Sequence, residues 1–131
     1  MAVTVEARSD KGLVLSYSGV LTGQEIVDVK RTLITEQNRG LRYLIIDTTA
    51  TDEIHISPSE IRRIVEENMR LAAIAEPGML AAVAAPQDLA FGLSRMWEVI
   101  SSGTGWRTLV FHSRAEADSW IEQNLSRTQL K

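Results

Sequence analysis

Three times in this chain a Ser or Thr is followed three residues later by Glu at the head of an amphipathic stretch. These are Thr22-Gly-Gln-Glu25, Ser57-Pro-Ser-Glu60 and Ser113-Arg-Ala-Glu116. In such a capping box the hydroxyl accepts one unpaired backbone N–H of the helix start, and the glutamate reaches back to another. Each box therefore fixes where a helix begins. An apolar run precedes each one: Leu13-Val-Leu-Ser-Tyr17, Tyr43-Leu-Ile-Ile-Asp47 and Trp106-Arg-Thr-Leu-Val-Phe111. A fourth pair is Leu80-Ala-Ala-Val-Ala-Ala85 followed by Pro86, where proline opens a helix without losing a hydrogen bond. Strand and helix thus alternate four times. Strands joined through helices run parallel with right-handed crossovers, which makes the chain a layered α/β protein.

Helical periodicity fills in the rods. Ile26, Val29, Leu33 and Ile34 mark a first helix over 23–39, with Gly40 as its C-terminal cap. Ile61, Ile64, Val65, Asn68 and Ala72 form the stripe of a second, ended by Pro77-Gly78. Leu89, Leu93, Met96, Trp97 and Ile100 face inward from a third, closed near Gly103, and Ala117, Trp120, Ile121 and Leu125 from a fourth. Val3-Thr-Val-Glu-Ala7 alternates as an outer strand and pairs with the Leu13 run through Ser9-Asp-Lys-Gly12, where glycine suits the turn. The polar segment 48–56 reads as a connection. Met69, Met79, Met96, Trp97 and Trp120 read as core, whereas Phe91 and Ile74 fall off their stripes and imply an exposed apolar patch. Residues 126–131 read as a frayed tail.

The 131 residues make one domain, 1–131, with five strands and four helices. Fourteen basic and seventeen acidic side chains leave a net charge of −3, without the basic excess that tracks nucleic acid. Cysteine is absent, which excludes disulfides and thiolate metal sites. The longest uncharged apolar run, 79–85, falls far short of the ~20 residues that span a bilayer. A cytoplasmic protein without a cofactor is the expectation.

Gly19-Val-Leu-Thr22, Leu44-Ile-Ile-Asp47, Phe91-Gly-Leu-Ser-Arg95 and Phe111-His-Ser-Arg-Ala-Glu-Ala-Asp-Ser-Trp120 carry a resemblance over nearly the whole chain. It resembles the STAS (sulfate transporter and anti-sigma factor antagonist), or SpoIIAA-like, domains. More narrowly, it looks like the bacterial STAS-like proteins grouped with CRAL-TRIO lipid-transfer domains. The resemblance implies a hairpin followed by four strand–helix turns and a mixed, mostly parallel five-stranded sheet. It also implies regulation through protein partners. In anti-sigma factor antagonists an Asp-Ser-Ser-Gly motif opens the second helix, and its second serine is phosphorylated. Ser59 is the nearest match here, with Ser57 in the aspartate's place and Glu60 in the glycine's.

Ligands of open parallel sheets gather beyond the carboxyl ends of the strands. That rim is expected to collect Asp47, His55, Ser57, Ser59, Asp88 and His112, with Phe91 beside it as a ligand or partner surface. Ser57 and Ser113 are accounted for as caps. Ser59 lies inside the first turn, where a phosphate would meet free N–H groups and the positive helix end, with Glu60 opposing it. Three functions follow. The first is a non-catalytic interaction module that docks a partner protein or a second copy of itself. Next is a small carrier of an apolar or lipid-like ligand. The third is a hydrolase on the polar rim, for which the Gly-x-Ser-x-Gly elbow and a glycine-rich oxyanion loop are missing.

Overall fold

The computed structural model describes residues 2–129, with the side chains of residues 3–125. Five strands form one sheet in the order β1-β2-β3-β4-β5: β1 Ala2–Arg8, β2 Gly12–Thr22, β3 Tyr43–His55, β4 Leu80–Ala84 and β5 Arg107–Phe111. β1 pairs antiparallel with β2, and every other neighbouring pair is parallel. The helices are α1 Gly23–Leu33, α2 Pro58–Ile74, α3 Gln87–Ile100 and α4 Arg114–Gln129. Residues 130 and 131 of the expected tail lie outside the described residues, and α4 continues past 125.

Strand order equals chain order, so crossovers of one hand must stack their helices on one face. The core divides accordingly. Leu13, Leu15, Leu44, Ile46, Ala81 and Val83 of the sheet pack with Val27, Ile64, Leu71, Trp97 and Ile100 from α1, α2 and α3. On the opposite face, Val14, Tyr43, Ile45, Leu80 and Ala82 meet α4 alone through Ala117 and Ile121.

Several boundaries differ from expectation. α1 stops at Leu33 rather than 39, because Asn38 Nδ2 and the Thr35 N–H both donate to the Leu33 carbonyl (2.8 and 2.9 Å), turning the chain into a 3-10 turn at Glu36–Asn38. In the hairpin the positive φ falls on Lys11 (65°) and not on Gly12. Lys11 Nζ is tied to the carbonyls of Gln37 and Arg39. Gly12 is needed for space: a Cβ there would sit 1.9 Å from Cζ of Tyr43, whose ring lies over it. Met69 is exposed rather than core, and Ile74 is half-buried against the core rather than part of a patch.

The largest difference is the segment 48–55, which is strand. It extends β3 beyond Asp47 and pairs with β2 as far as Thr22↔His55, past two register shifts at Ser16/Ser18 and Gly19/Val20. Gly19, at φ 74°, absorbs one of them. The resulting two-stranded arm projects past the ends of β4 and β5, and Ile54 packs against the cluster of Ala85, Ala90 and Leu93.

Candidate functional site

The arm splits the expected rim into two levels. Asp47, Ala84 and Phe111 are in register, so His112 is level with residue 48 of β3. His55 lies seven residues further on, roughly 20 Å along the strand direction. The sheet order also never reverses, so it lacks the switch point that opens a crevice in doubly wound folds. Where that crevice would lie, Ile54 and the first turns of α3 fill the space.

At the far level, the N-termini of α1 and α2 stand side by side. Thr22 and Ser57 each complete a capping box, with Glu25 and Glu60 respectively. Gly23 lets the two starts approach, since a Cβ there would sit 2.5 Å from Cβ of Glu60. The Glu60 carboxyl is held below the usual carboxylate range, first by the Ser57 backbone N–H and also by Arg63 and the Gln24 backbone. Ser59 is exposed, and its Oγ lies 3.2 Å from Ser57 Oγ. His55 is also exposed, its Nε2 2.7 Å from Oε2 of Glu53.

At the near level, Asp47 accepts from the Thr49 N–H and hydroxyl (2.9 and 2.6 Å) and lies 3.5 Å from Nη1 of Arg114, which also holds Asp118. Asp47 thus ties the end of the paired sheet to α4. Ser113 caps α4 by accepting from the Glu116 N–H. Asp88 and His112 are exposed. Among the described residues, no three His, Asp or Glu side chains gather to hold a metal ion. Among the described residues Asp47 is held by Thr49 and Arg114, His55 lies against Glu53, and Ser59 lies against Ser57, so the three belong to separate polar contacts.

On α3, Phe91 is 73% exposed, with the Arg95 guanidinium 5.7 Å from its ring centre. Val99, two turns on, and Met69 of neighbouring α2 are also exposed.

The least expected chemistry lies inside. Lys30 of α1 is 1% exposed, and among the described residues its Nζ has no hydrogen-bond partner. It stands 5.4 Å from the centre of the Trp97 ring and 5.6 Å from that of Trp106. Burial lowers its pKa to about 7. Glu67 is equally buried between α1 and α2, accepting from Arg31 Nε at 2.9 Å and from Arg70 Nη1 at 3.2 Å. Both residues carry a sequence signal. Lys30 falls between Ile26 and Leu33, and Glu67 between Ile64 and Leu71, at the spacing of the apolar stripes.

No family model matches the chain, and no curated protein matches it. Solved structures do. An uncharacterized DUF3478-family protein with a SpoIIAA-like fold from Shewanella loihica superposes with a TM-score of 0.58 at 15% identity, over 92% of each chain. The anti-sigma factor antagonist SpoIIAA, in its unphosphorylated form, gives 0.55 at 11% identity over 98% of each chain. With its single antiparallel pair, its parallel remainder and its four helices, this chain has the SpoIIAA-like α/β fold.

Proposed function

We propose that the protein is a non-catalytic, regulatory interaction module that docks a partner protein through the α3 face. The observation that carries this reading is Phe91, a large apolar side chain left in water on a helix whose other aromatic, Trp97, is buried. Exposing a phenyl ring has no benefit to the isolated fold, whereas aromatic anchors flanked by arginine are typical of binding hot spots. The likeness to SpoIIAA, an anti-sigma factor antagonist, supports a regulatory role of the same kind.

Ser59 is the candidate switch for this surface. It is exposed in the first turn of α2, and Arg62 and Arg63 follow at the i+3 and i+4 positions that face it. A phosphate there would compete with Glu60 for the same positive helix end. The carrier reading is less well supported, because the apolar cavity beneath α1 and α3 measures about 30 Å³, too small for an acyl chain, and the roomier cleft of about 450 Å³ beside α4 carries Arg8, Asp10, Asp118 and Glu122 in its wall.

The test is capture of partners from an extract of the source organism by wild type and by Phe91→Asp. The variant should fold normally and lose about 2 kcal/mol of binding, roughly thirtyfold. Equal capture by both proteins refutes the assignment of this face. Analytical ultracentrifugation of the same pair separates a partner protein from self-association.

A further inference from the structure

The interior holds a cavity of about 30 Å³ beneath α1 and α3, lined by Lys30, Tyr17, Thr48, Val83, Leu93 and Met96 among others. Three features make it a chemical site rather than a packing defect. Its wall is apolar apart from Lys30, Tyr17, Thr48 and the indole N–H of Trp97, and the Thr48 hydroxyl is already committed to the Ala84 carbonyl at 2.8 Å. Lys30 contributes an amine with no hydrogen-bond partner among the described residues, so its lone pair is available when the amine is neutral. Every lining residue is buried except Met96, which is half-buried and therefore closes the cavity toward solvent. An unbranched thioether is the side chain best able to swing aside.

We propose that this cavity captures a short-chain aldehyde, held covalently as an imine on Lys30. The space suits about two to three heavy atoms, given that one water needs roughly 10–15 Å³ of the same measure. A carboxylate ligand would have to bring a second ion into a wall with almost no other polar group, and desolvating both ions is costly. A neutral carbonyl enters without that penalty. The Nζ lone pair forms the N–C bond while the carbonyl π pair moves to oxygen. Both amine hydrogens then leave with that oxygen as one water, and C=N remains. Tyr17 stays a protonated phenol, because burial, and after it the Glu25 charge, raises its pKa. The Tyr17 phenol and the Trp97 indole N–H, which lacks a partner among the described residues, are the donors this wall offers to the carbonyl oxygen. The lowered basicity of Lys30 supports the reading, since an unprotonated amine is the reactive form.

The chain makes the test clean, because its lysines are Lys11, Lys30 and Lys131. The full-length protein is incubated with acetaldehyde and cyanoborohydride at pH 7.5, and N-ethyl adducts are located by peptide mass spectrometry. With a pKa of about 7, Lys30 is largely unprotonated at pH 7.5, and its adduct should form about tenfold faster than that of Lys11. In urea that preference should vanish. Met96→Trp, which fills the mouth, should suppress the Lys30 adduct and leave the Lys11 adduct unchanged. Lys30 reacting no faster than Lys11 in the native protein overturns the proposal, as does a folded Met96→Trp variant that labels Lys30 at the wild-type rate. Should that variant not fold, the native-versus-urea comparison decides alone.

Discussion

Replacing Lys30 by Met should stabilise the protein, against the usual outcome of a buried substitution. The pKa of Lys30 falls from 10.5 to about 7 on folding. At 1.36 kcal/mol per unit, that shift corresponds to a cost of about 5 kcal/mol for holding the ammonium in the core. The Trp97 and Trp106 rings at 5.4 and 5.6 Å return about 1–2 kcal/mol through cation–π attraction. Methionine keeps the length and apolar stem of lysine, so repacking costs little. A net gain of about 2–4 kcal/mol near pH 7 follows.

The pH dependence carries the sharper test. Between the folded pKa near 7 and the unfolded value of 10.5, the unfolded chain holds a proton on Lys30 that the native protein lacks. Stability therefore rises with pH across that window and is lowest below it. Facing the amine are Tyr17 and the two indoles, and Glu25 acts on Tyr17 in turn. Tyr17 and Tyr43, both raised by burial first, oppose the trend only near pH 10 and above. In urea unfolding, wild type should gain about 2 kcal/mol between pH 7.5 and 9, and Lys30→Met should lack that increment. A variant that is less stable than wild type at both pH values, or that shows the same rise, refutes the reasoning.

Other substitutions test the remaining contacts. Gly12→Ala must displace the Tyr43 ring and with it the 2.7 Å bond from Tyr43 Oη to Asp10, so unfolding should ease by about 2–3 kcal/mol, read from the urea midpoint. Ser57→Ala removes the α2 cap and should cost about 1 kcal/mol, whereas Ser59→Ala, which is not the cap, should change thermal stability by less than about 0.5 kcal/mol. Replacing Arg31 and Arg70 together by Met leaves the buried Glu67 without a cation. A double-mutant cycle should show more destabilisation than the two single changes sum to, because either arginine alone still pairs the carboxylate.

The fold was legible wherever local chemistry and burial agree. The Thr22 and Ser57 boxes start helices where their hydroxyls imply, and the unbroken runs at 43–47 and 80–84 are buried on both faces. The segment 48–55 was not, because an arm outside the main sheet need not alternate cleanly. Thr48 and Thr51 are buried while Asp52 and Glu53 face water, so its polarity resembles a loop. Of the candidate site, the exposure of Phe91 could be read from its angle to Leu89, but the spread of the rim over two levels could not. That spread depends on how far β3 runs beyond Asp47, a length set by pairing with β2 rather than by local residue preference. Lys30 was missed for the opposite reason. A lysine on an apolar stripe ordinarily snorkels outward, and only the meeting of α1 with Trp97 and Trp106 encloses it.

The monotonic strand order has consequences for where recognition is located. With α1, α2 and α3 on one face and α4 alone on the other, the strand ends do not frame a cleft, and the arm with Ile54 fills the place where one would form. A partner reading this fold therefore meets helices, and α3 offers it Phe91, Arg95 and Val99 on one slowly drifting face. The same helix supplies Leu93, Met96 and Trp97 to the Lys30 cavity from its inner side. Both surfaces belong to one rod about 21 Å long at 1.5 Å rise per residue. Met96 can move aside only if α3 tolerates the shift, and a partner clamped on Phe91 would restrict it. Partner binding should then slow labelling of Lys30 while leaving Lys11 untouched, because Lys11 sits in the β1–β2 turn, away from α3.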